Sequence, residues 1–279
     1  MKISKALKGA AIVGAVLVAA KGLDDRLETT HYVISSPKIP KAFDGFRIVQ
    51  VSDIHASVIP GMTDEIRGEA PDIIVSTGDL VHDRGTYEPG ITFARRLCDI
   101  APTYAVTGNH DVRRSDYRQF QHDLDLTGVR TLHDESITLS KNGADITLSG
   151  IDDPFSHDGE RTSDKILASA SKIAMPDNYH ILLFHRANNM GLLKRKGFDL
   201  ILSGHMHGGQ MRLPNGVGIC TPKSSWSGNS PLLFPKYTGG HYRHHDTHMI
   251  VNRGTGNTMI IPRFFNRPEV TVIILKAQS

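Results

Sequence analysis

Short runs rich in Val, Ile and Leu recur along this chain with no polar face. Those at 46–52, 73–76, 103–106, 180–184, 200–203, 249–252 and 270–275 predict buried strands. The stretches between them at 63–69, 91–98, 115–126, 162–171 and 189–196 read as helices, with Ser115 as an N-cap. The last of these ends in Lys194-Arg195-Lys196, which suits the helix dipole. Apolar residues at 137–139 and 146–148 flank Asn142-Gly143 and predict a hairpin. Residues 29–44 read as an extended lead-in, because Pro37 and Pro40 forbid a helix there. Residues 221–241 are rich in Gly, Pro and Ser and read as a long loop. Strands alternating with helices place the chain in the α/β class.

The N-terminus follows a different pattern. Lys2, Lys5 and Lys8 precede an uncharged apolar run at 10–20, and Lys21, Asp24, Asp25, Arg26 and Glu28 follow it. As helix that run is about 17 Å long, against about 30 Å of bilayer hydrocarbon. Counting back to Ile3, with lysines snorkelling, brings it near spanning length. We therefore expect an uncleaved signal anchor or transmembrane helix at 1–27 and one catalytic domain at 28–279. The alternatives are a signal peptide cleaved near Val18-Ala19-Ala20, or a helix packed on the core; the run's lack of a polar face argues against the latter. Basic residues before the run and acids after it place the domain outside the cytoplasm.

Composition narrows the function. Of 279 residues, 39% are hydrophobic and 22% charged, which fits a globular protein with a real core. A net charge of +3 with scattered Lys and Arg excludes a dedicated nucleic-acid binder. The two cysteines, Cys98 and Cys220, make no disulfide framework and read as buried thiols, with one bridge available in an oxidising compartment. Fifteen histidines is a high number, and several fall at the ends of the predicted strands.

Five strand runs end in metal-ligand residue types: Asp53 and His55; Asp79; Asn109 and His110; His185; His205 and His207. Side chains two apart on an extended segment share a face, so Asp53 with His55, and His205 with His207, are expected to point into one pocket. In α/β sheets ligands gather at the carboxyl ends of strands. The donors are too many for one tetrahedral ion but enough for two ions sharing a bridge, and Asp79 stands alone in its motif. Imidazole, carboxylate and amide without thiolate suit Mn, Fe, Zn or Ni. Gly78, Gly108 and Gly204 each precede a ligand and allow a sharp turn. Two cations about 3.5–4 Å apart clamp an in-line displacement at phosphorus and activate the attacking water, while a neighbouring His can protonate the leaving group.

Asp53-Ile54-His55, Gly78-Asp79, Gly108-Asn109-His110-Asp111, His185 and Gly204-His205-Met206-His207 occur in that order. This ordered set resembles the calcineurin-like metallophosphoesterases. The likeness spans most of 45–275, and Gly208-Gly209-Gln210, 252–256 and 267–270 resemble a bacterial membrane-associated phosphodiesterase branch. The resemblance implies a four-layer α/β/β/α sandwich of two mixed sheets. It implies a first metal on Asp53, His55 and His207, a second on Asn109, His185 and His205, and Asp79 as bridge. His110 would protonate the leaving group or steady the phosphoryl oxygen, and Asp111 would orient His110. Two departures, Arg186-Ala187 after His185 and Met206 within the last block, touch no ligand. The activity implied is that of a phosphodiesterase on a phosphate-ester substrate. The alternatives are a pyrophosphohydrolase of the UDP-2,3-diacylglucosamine type and a metal-binding module without turnover. Asp152-Asp153 reads as a turn, and His241, His244, His245 and His248 as solvated surface residues. Trp226 and Tyr237 read as groove or packing residues.

Overall fold

The computed structural model describes residues 5–155, 162–173, 177–220, 232–257 and 261–278. Helix α1 (Lys5–Gly22) leads into strand β1 (Glu28–Ser36) and β2 (Arg47–Val51). Then follow α2 (Met62–Gly68), β3 (Ile73–Ser76), α3 (Glu88–Cys98), β4 (Thr103–Ala105), α4 (Asn109–Val112), α5 (Tyr117–Asp125) and β5 (Arg130–Thr131). The second half holds β6 (Glu135–Lys141), β7 (Ala144–Ile151), α6 (Thr162–Lys172), β8 (His180–Arg186), β9 (Leu200–Gly204), β10 (Gly240–His244), β11 (Thr247–Val251) and β12 (Glu269–Ala277).

The strands form two six-stranded mixed sheets, ordered β1-β12-β2-β3-β4-β5 and β10-β11-β9-β8-β7-β6. Alternation along each central strand explains why both faces are covered. Ile48, Ile73, Val75 and Ile273 from the first sheet meet Leu148, Ile181, Leu183, Leu200 and Leu202 from the second, forming the inner core. The residues between them face outward. Val49, Val51 and Ile74 pack under α2, α3 and α5, while Leu182, Phe184 and Ile201 pack under α6. The result is the four-layer α/β/β/α sandwich, and its central strands are predominantly apolar because they are buried on two sides.

Several local expectations shift. Helix α5 begins at Tyr117, and Ser115 does not cap it; Asp116 holds the cap position, but its carboxylate is taken by Arg114 at 2.8 and 2.9 Å. The helix expected at 189–196 is a 3-10 turn, Ala187–Leu192, where Asn188, Asn189 and Gly191 are weak helix formers. The long loop ends at β10, so His241, His244 and His248 lie on a hairpin, with the His241 and His248 rings stacked at 8°. Residues 221–231, including Trp226, lie outside the described residues. Tyr237 packs edge-on to Tyr242. Cys98 and Cys220 are unbridged and half-buried.

The expected transmembrane helix finds no support among the described residues. Among the described residues no helix is long and apolar enough to cross a membrane. Helix α1 has 18 residues, and Lys5, Lys8 and Lys21 lie within it. Its uncharged part is about 18 Å long, well short of the hydrocarbon thickness. Val13, Val16, Leu17 and Val18 are nonetheless exposed, so these side chains of α1 are left uncovered by the described residues.

The inner core predicts a specific cost. Leu202→Ala, at a position with no exposure, should lower stability by about 2–5 kcal/mol in urea unfolding. A loss below about 1 kcal/mol would mean that the sheets are not packed as described.

Candidate metal centre

Every ligand expected from the sequence arrives at one end of the sandwich, where the inner core turns polar. Asp53 and His55 follow β2, Asp79 follows β3, and Asn109 opens α4 just after β4. His185 lies near the end of β8, and His205 and His207 follow β9. All seven are buried, at 6% exposure or less.

Strand alternation is not what brings the paired ligands together. Asp53, His55, Asp79, His205 and His207 all have positive φ, between 47° and 74°. The chain leaves each strand through a left-handed turn, and that turn points the side chain back across the strand ends. Such conformations cost an L-residue about 1–2 kcal/mol each. The glycines beside them are steric necessities. A Cβ on Gly108 would collide with the backbone and carboxylate of Asp79, and one on Gly204 with Ser52 and the Asp53 carboxylate.

The donors fall into two groups that share one residue: Asp53, His55, Asp79 and His207; and Asp79, His185 and His205. In the first, His55 Nε2 lies 3.3 Å from His207 Nε2 and 3.7 Å from Asp79 Oδ2, and His207 Nε2 lies 3.4 Å from Asp53 Oδ1. In the second, His185 Nε2 lies 3.2 Å from His205 Nδ1, and 3.3 Å from both Asp79 Oδ2 and Asn109 Oδ1. Asn109 thereby joins the second group.

These residues fit divalent cations. Ligands about 2.0–2.1 Å from one tetrahedral ion are about 3.4 Å from one another, which is the spacing seen here. Each carboxylate is half-engaged. Asp53 Oδ2 accepts from Ser52 Oγ (2.7 Å) and the His205 N–H (2.9 Å), and Asp79 Oδ1 accepts from the His110 N–H (2.7 Å). Asp53 Oδ1 and Asp79 Oδ2 are buried and accept no hydrogen bond among the described residues. His185 donates Nδ1–H to the Thr77 carbonyl at 2.8 Å, which leaves Nε2 facing the cluster.

Electrostatics keep most ligands in the binding form. Burial holds His55 and His205 well below the usual imidazole range and also lowers His207. Burial would raise Asp79, but the positive charge of the neighbouring His185 outweighs it and holds the carboxylate well below the usual range. Burial would likewise lower His185, but the Asp79 carboxylate outweighs it, and His185 is pushed up to about 10.

The expected role of Asp111 is corrected. Its carboxylate accepts from the backbone N–H groups of Asp79 (2.8 Å), Gly108 (2.8 Å) and Val81 (3.1 Å), and it makes no hydrogen bond to the His110 ring among the described residues. Burial, reinforced by the Asp79 charge, pushes Asp111 up to about 7. It clips the loops after β3 and β4 together. The acid beside the His110 ring is Asp83, whose Oδ1 lies 3.5 Å from Nδ1. Sequence reasoning missed Asp83, although it lies four positions after Asp79.

The Asp152-Asp153 pair is more than a turn. Arg186 donates Nε and Nη2 to Asp153 at 2.7 and 2.9 Å in a buried pair. The Arg after His185 is therefore explained by its partner across β7 and β8. Asp152 accepts from Thr107 Oγ1 at 2.8 Å.

Comparison with known proteins agrees with this geometry. Residues 46–209 match the family model described as calcineurin-like phosphoesterase. This chain belongs to that family. As a calcineurin-like phosphoesterase it is a metal-dependent hydrolase of phosphoric esters. It is 32% identical over 271 residues to the metallophosphoesterase YkuE of Bacillus subtilis (strain 168), covering 91% of this chain and 87% of that protein. It is 25% identical over 244 residues to the phosphodiesterase YaeI of Escherichia coli (strain K12), covering 82% of each. It is 30% identical over 256 residues to a transmembrane protein with metallophosphoesterase domain of Bos taurus, covering 86% of this chain and 55% of that protein.

The phosphoesterase's metal site has a testable pH dependence. Below about pH 10 an entering cation must displace the proton from His185. Binding of Mn to the metal-free protein at pH 7 should release about one proton, and affinity should rise with pH by up to about tenfold per unit. Calorimetry in buffers of different ionisation enthalpy measures this, and zero release would contradict the His185–Asp79 pairing.

Proposed function

We propose that the protein is a phosphodiesterase with two divalent cations drawn from Mn, Fe, Zn or Ni. Asp53, His55, Asp79 and His207 hold one, and Asp79, Asn109, His185 and His205 hold the other. The observation that carries this reading is the place of Asp79 in both donor groups, with its inward oxygen unpartnered. When bound, the cations neutralise phosphoryl oxygens and supply a nucleophile at neutral pH.

The rest of the work falls to the chain. His110 is the acid that protonates the leaving oxygen. Its backbone N–H is held by Asp79, and its ring stands edge-on to His55 with centroids 4.8 Å apart. Asp83 is placed to steady the imidazolium. Asp111 keeps the loop carrying Asn109 and His110 against the loop carrying Asp79. Similarity to YaeI, named a phosphodiesterase, supports the preference for diesters.

The test uses the full chain reconstituted with Mn. Bis-(p-nitrophenyl) phosphate should be hydrolysed faster than p-nitrophenyl phosphate. His110→Ala should lower kcat by about a hundred- to ten-thousandfold with metal content unchanged. Faster monoester hydrolysis would overturn the diester reading, and an unchanged kcat would remove His110 from the chemistry.

We also propose that residues 1–27 attach the catalytic domain, 28–279, to a membrane, with the domain outside the cytoplasm. The exposed apolar face of α1 supports attachment. Leu213 lies near Lys21 in a common cleft beside the end of α1, and Leu213 and Val217 add exposed apolar surface there. Lysines before the apolar run and acids after it support the orientation. An alkaline phosphatase fused after residue 279 should be active, and deletion of 1–27 should move the protein to the soluble fraction. An inactive fusion would place the domain on the cytoplasmic face.

A further inference from the structure

The loop beyond Asp79 takes part in a further donor group that holds neither of the two cations. His82, Asp83 and His110 offer ligand atoms close enough together to share one ion. Asp83 Oδ1 lies 2.7 Å from His82 Nδ1 and 3.5 Å from His110 Nδ1. The two imidazole rings stand 4.8 Å apart between centroids. Asp83 Oδ1 and His110 Nδ1 are both buried atoms, and neither has a hydrogen-bond partner among the described residues. The side chains of His82, Asp83 and His110 are 35%, 24% and 15% exposed, so the group opens to solvent at His82.

An ordinary ion pair does not account for the 2.7 Å contact. The Arg84 N–H donates to His82 Nδ1 at 3.2 Å, so that nitrogen carries a lone pair and no proton. Burial, and then the neighbouring His110, hold His82 below the usual imidazole range and keep it in that form. Two electron-rich atoms at such a distance call for positive charge beside them. Ligands of one tetrahedral ion are about 3.4 Å apart, so a small turn of the His82 ring away from Asp83 gives three donors at that spacing. The bond from Arg84 is long, and Arg84 is exposed, so its N–H can pass to water. The backbone beneath is fixed. Arg114 donates to the His82 carbonyl and, at 3.1 Å, to the Gly85 carbonyl, while Asp111 accepts from the Val81 N–H at 3.1 Å. Two imidazoles and a carboxylate with a fourth position toward solvent suit zinc.

We propose that His82, Asp83 and His110 bind a third divalent cation of the zinc type, and that this cation inhibits hydrolysis. The His110 ring stands 4.8 Å from that of His55, so the site adjoins the other two, and repulsion from their charge makes it the last to fill. A cation on Nδ1 prevents His110 from becoming an imidazolium, and it engages the Asp83 carboxylate that would steady one. His110 is thus available to a proton when zinc is scarce and to zinc when it is in excess. The site rests on the donor geometry, and only the inhibition rests on the phosphodiesterase reading.

The test titrates zinc chloride calorimetrically into the full chain already carrying two zinc ions. A further equivalent should bind, more weakly than the first two, and His82→Ala should weaken it at least about tenfold. His241→Ala, which removes one ring of the stacked surface pair, should leave it unchanged. Crystals grown with excess zinc should show anomalous scattering about 2.0–2.2 Å from His82 Nδ1, Asp83 Oδ1 and His110 Nδ1. Over the same range of zinc, hydrolysis of bis-(p-nitrophenyl) phosphate should fall by about a hundredfold or more, and His82→Ala should move that fall to higher zinc. The site would be overturned by the absence of a third equivalent, by one lost with His241→Ala and not with His82→Ala, or by scattering at the surface pair alone. Third-site binding with hydrolysis undiminished would overturn the inhibition. Third-site binding with no diester hydrolysed at any zinc concentration would end the phosphodiesterase reading and leave the site standing.

Discussion

Two carboxylates buried side by side set the terms for the rest of this structure. Asp53 and Asp79 are at most 1% exposed, and each spends one oxygen on donors from the protein while the other accepts nothing. An ionised carboxylate in such a place is strongly destabilising unless positive charge accompanies it. Four imidazoles and an amide oxygen surround the two free oxygens at ligand spacing, and burial keeps three of those imidazoles neutral. Divalent charge is the counterpart that this arrangement demands, and five of its ligands face it from strained left-handed turns.

The sandwich delivers these groups by grading its inner core. At one end the two sheets meet through Ile, Leu and Val. Toward the carboxyl ends of the parallel strands they meet through polar groups. Gln50 donates to the Ser203 carbonyl at 2.9 Å and to Thr77 Oγ1 at 3.0 Å, tying β2 to the ends of β9 and β3. Asn252 donates to Thr271 Oγ1 at 2.9 Å and accepts from the Gly254 N–H. Parallel register aligns the ends of neighbouring strands, with Val51 opposite Ser76, so the turns beyond them open into the same space. Gly256 extends this network, since its N–H donates to the Asp53 carbonyl and its own carbonyl accepts from Arg263.

How far the site could be read along the chain depends on how local each signal is. Asp53, Asp79, Asn109, His185, His205 and His207 were legible because each is a polar ligand type placed directly after an apolar run. Asp111 and Asp83 were not separable in this way. Both lie close to ligands, and their tasks differ only because backbone amides from Asp79, Gly108 and Val81 occupy one while the His110 ring faces the other. The Arg186–Asp153 pair spans thirty-three positions and looked like a turn beside a departure from the family pattern. Arg263 carried no signal at all, since a lone Arg between aromatic and apolar residues is ordinary until its neighbours are known.

The sequence by itself determined the strands and the residue types of the ligands, because hydrophobic periodicity and ligand chemistry are properties of adjacent residues; the two-sheet sandwich was implied only by the family resemblance. It misjudged how paired ligands come to share a pocket, since alternation was expected and left-handed turns do the work. The N-terminal run carries Lys5, Lys8 and Lys21 within its helix, and among the described residues no helix is long and apolar enough to cross a membrane. Only the tertiary structure decided which oxygens go unpartnered, which acid faces His110, and that a buried guanidinium lies one residue from the metal ligands. Those outcomes depend on distances between segments far apart in the chain, and desolvation and hydrogen bonding respond to distance in space.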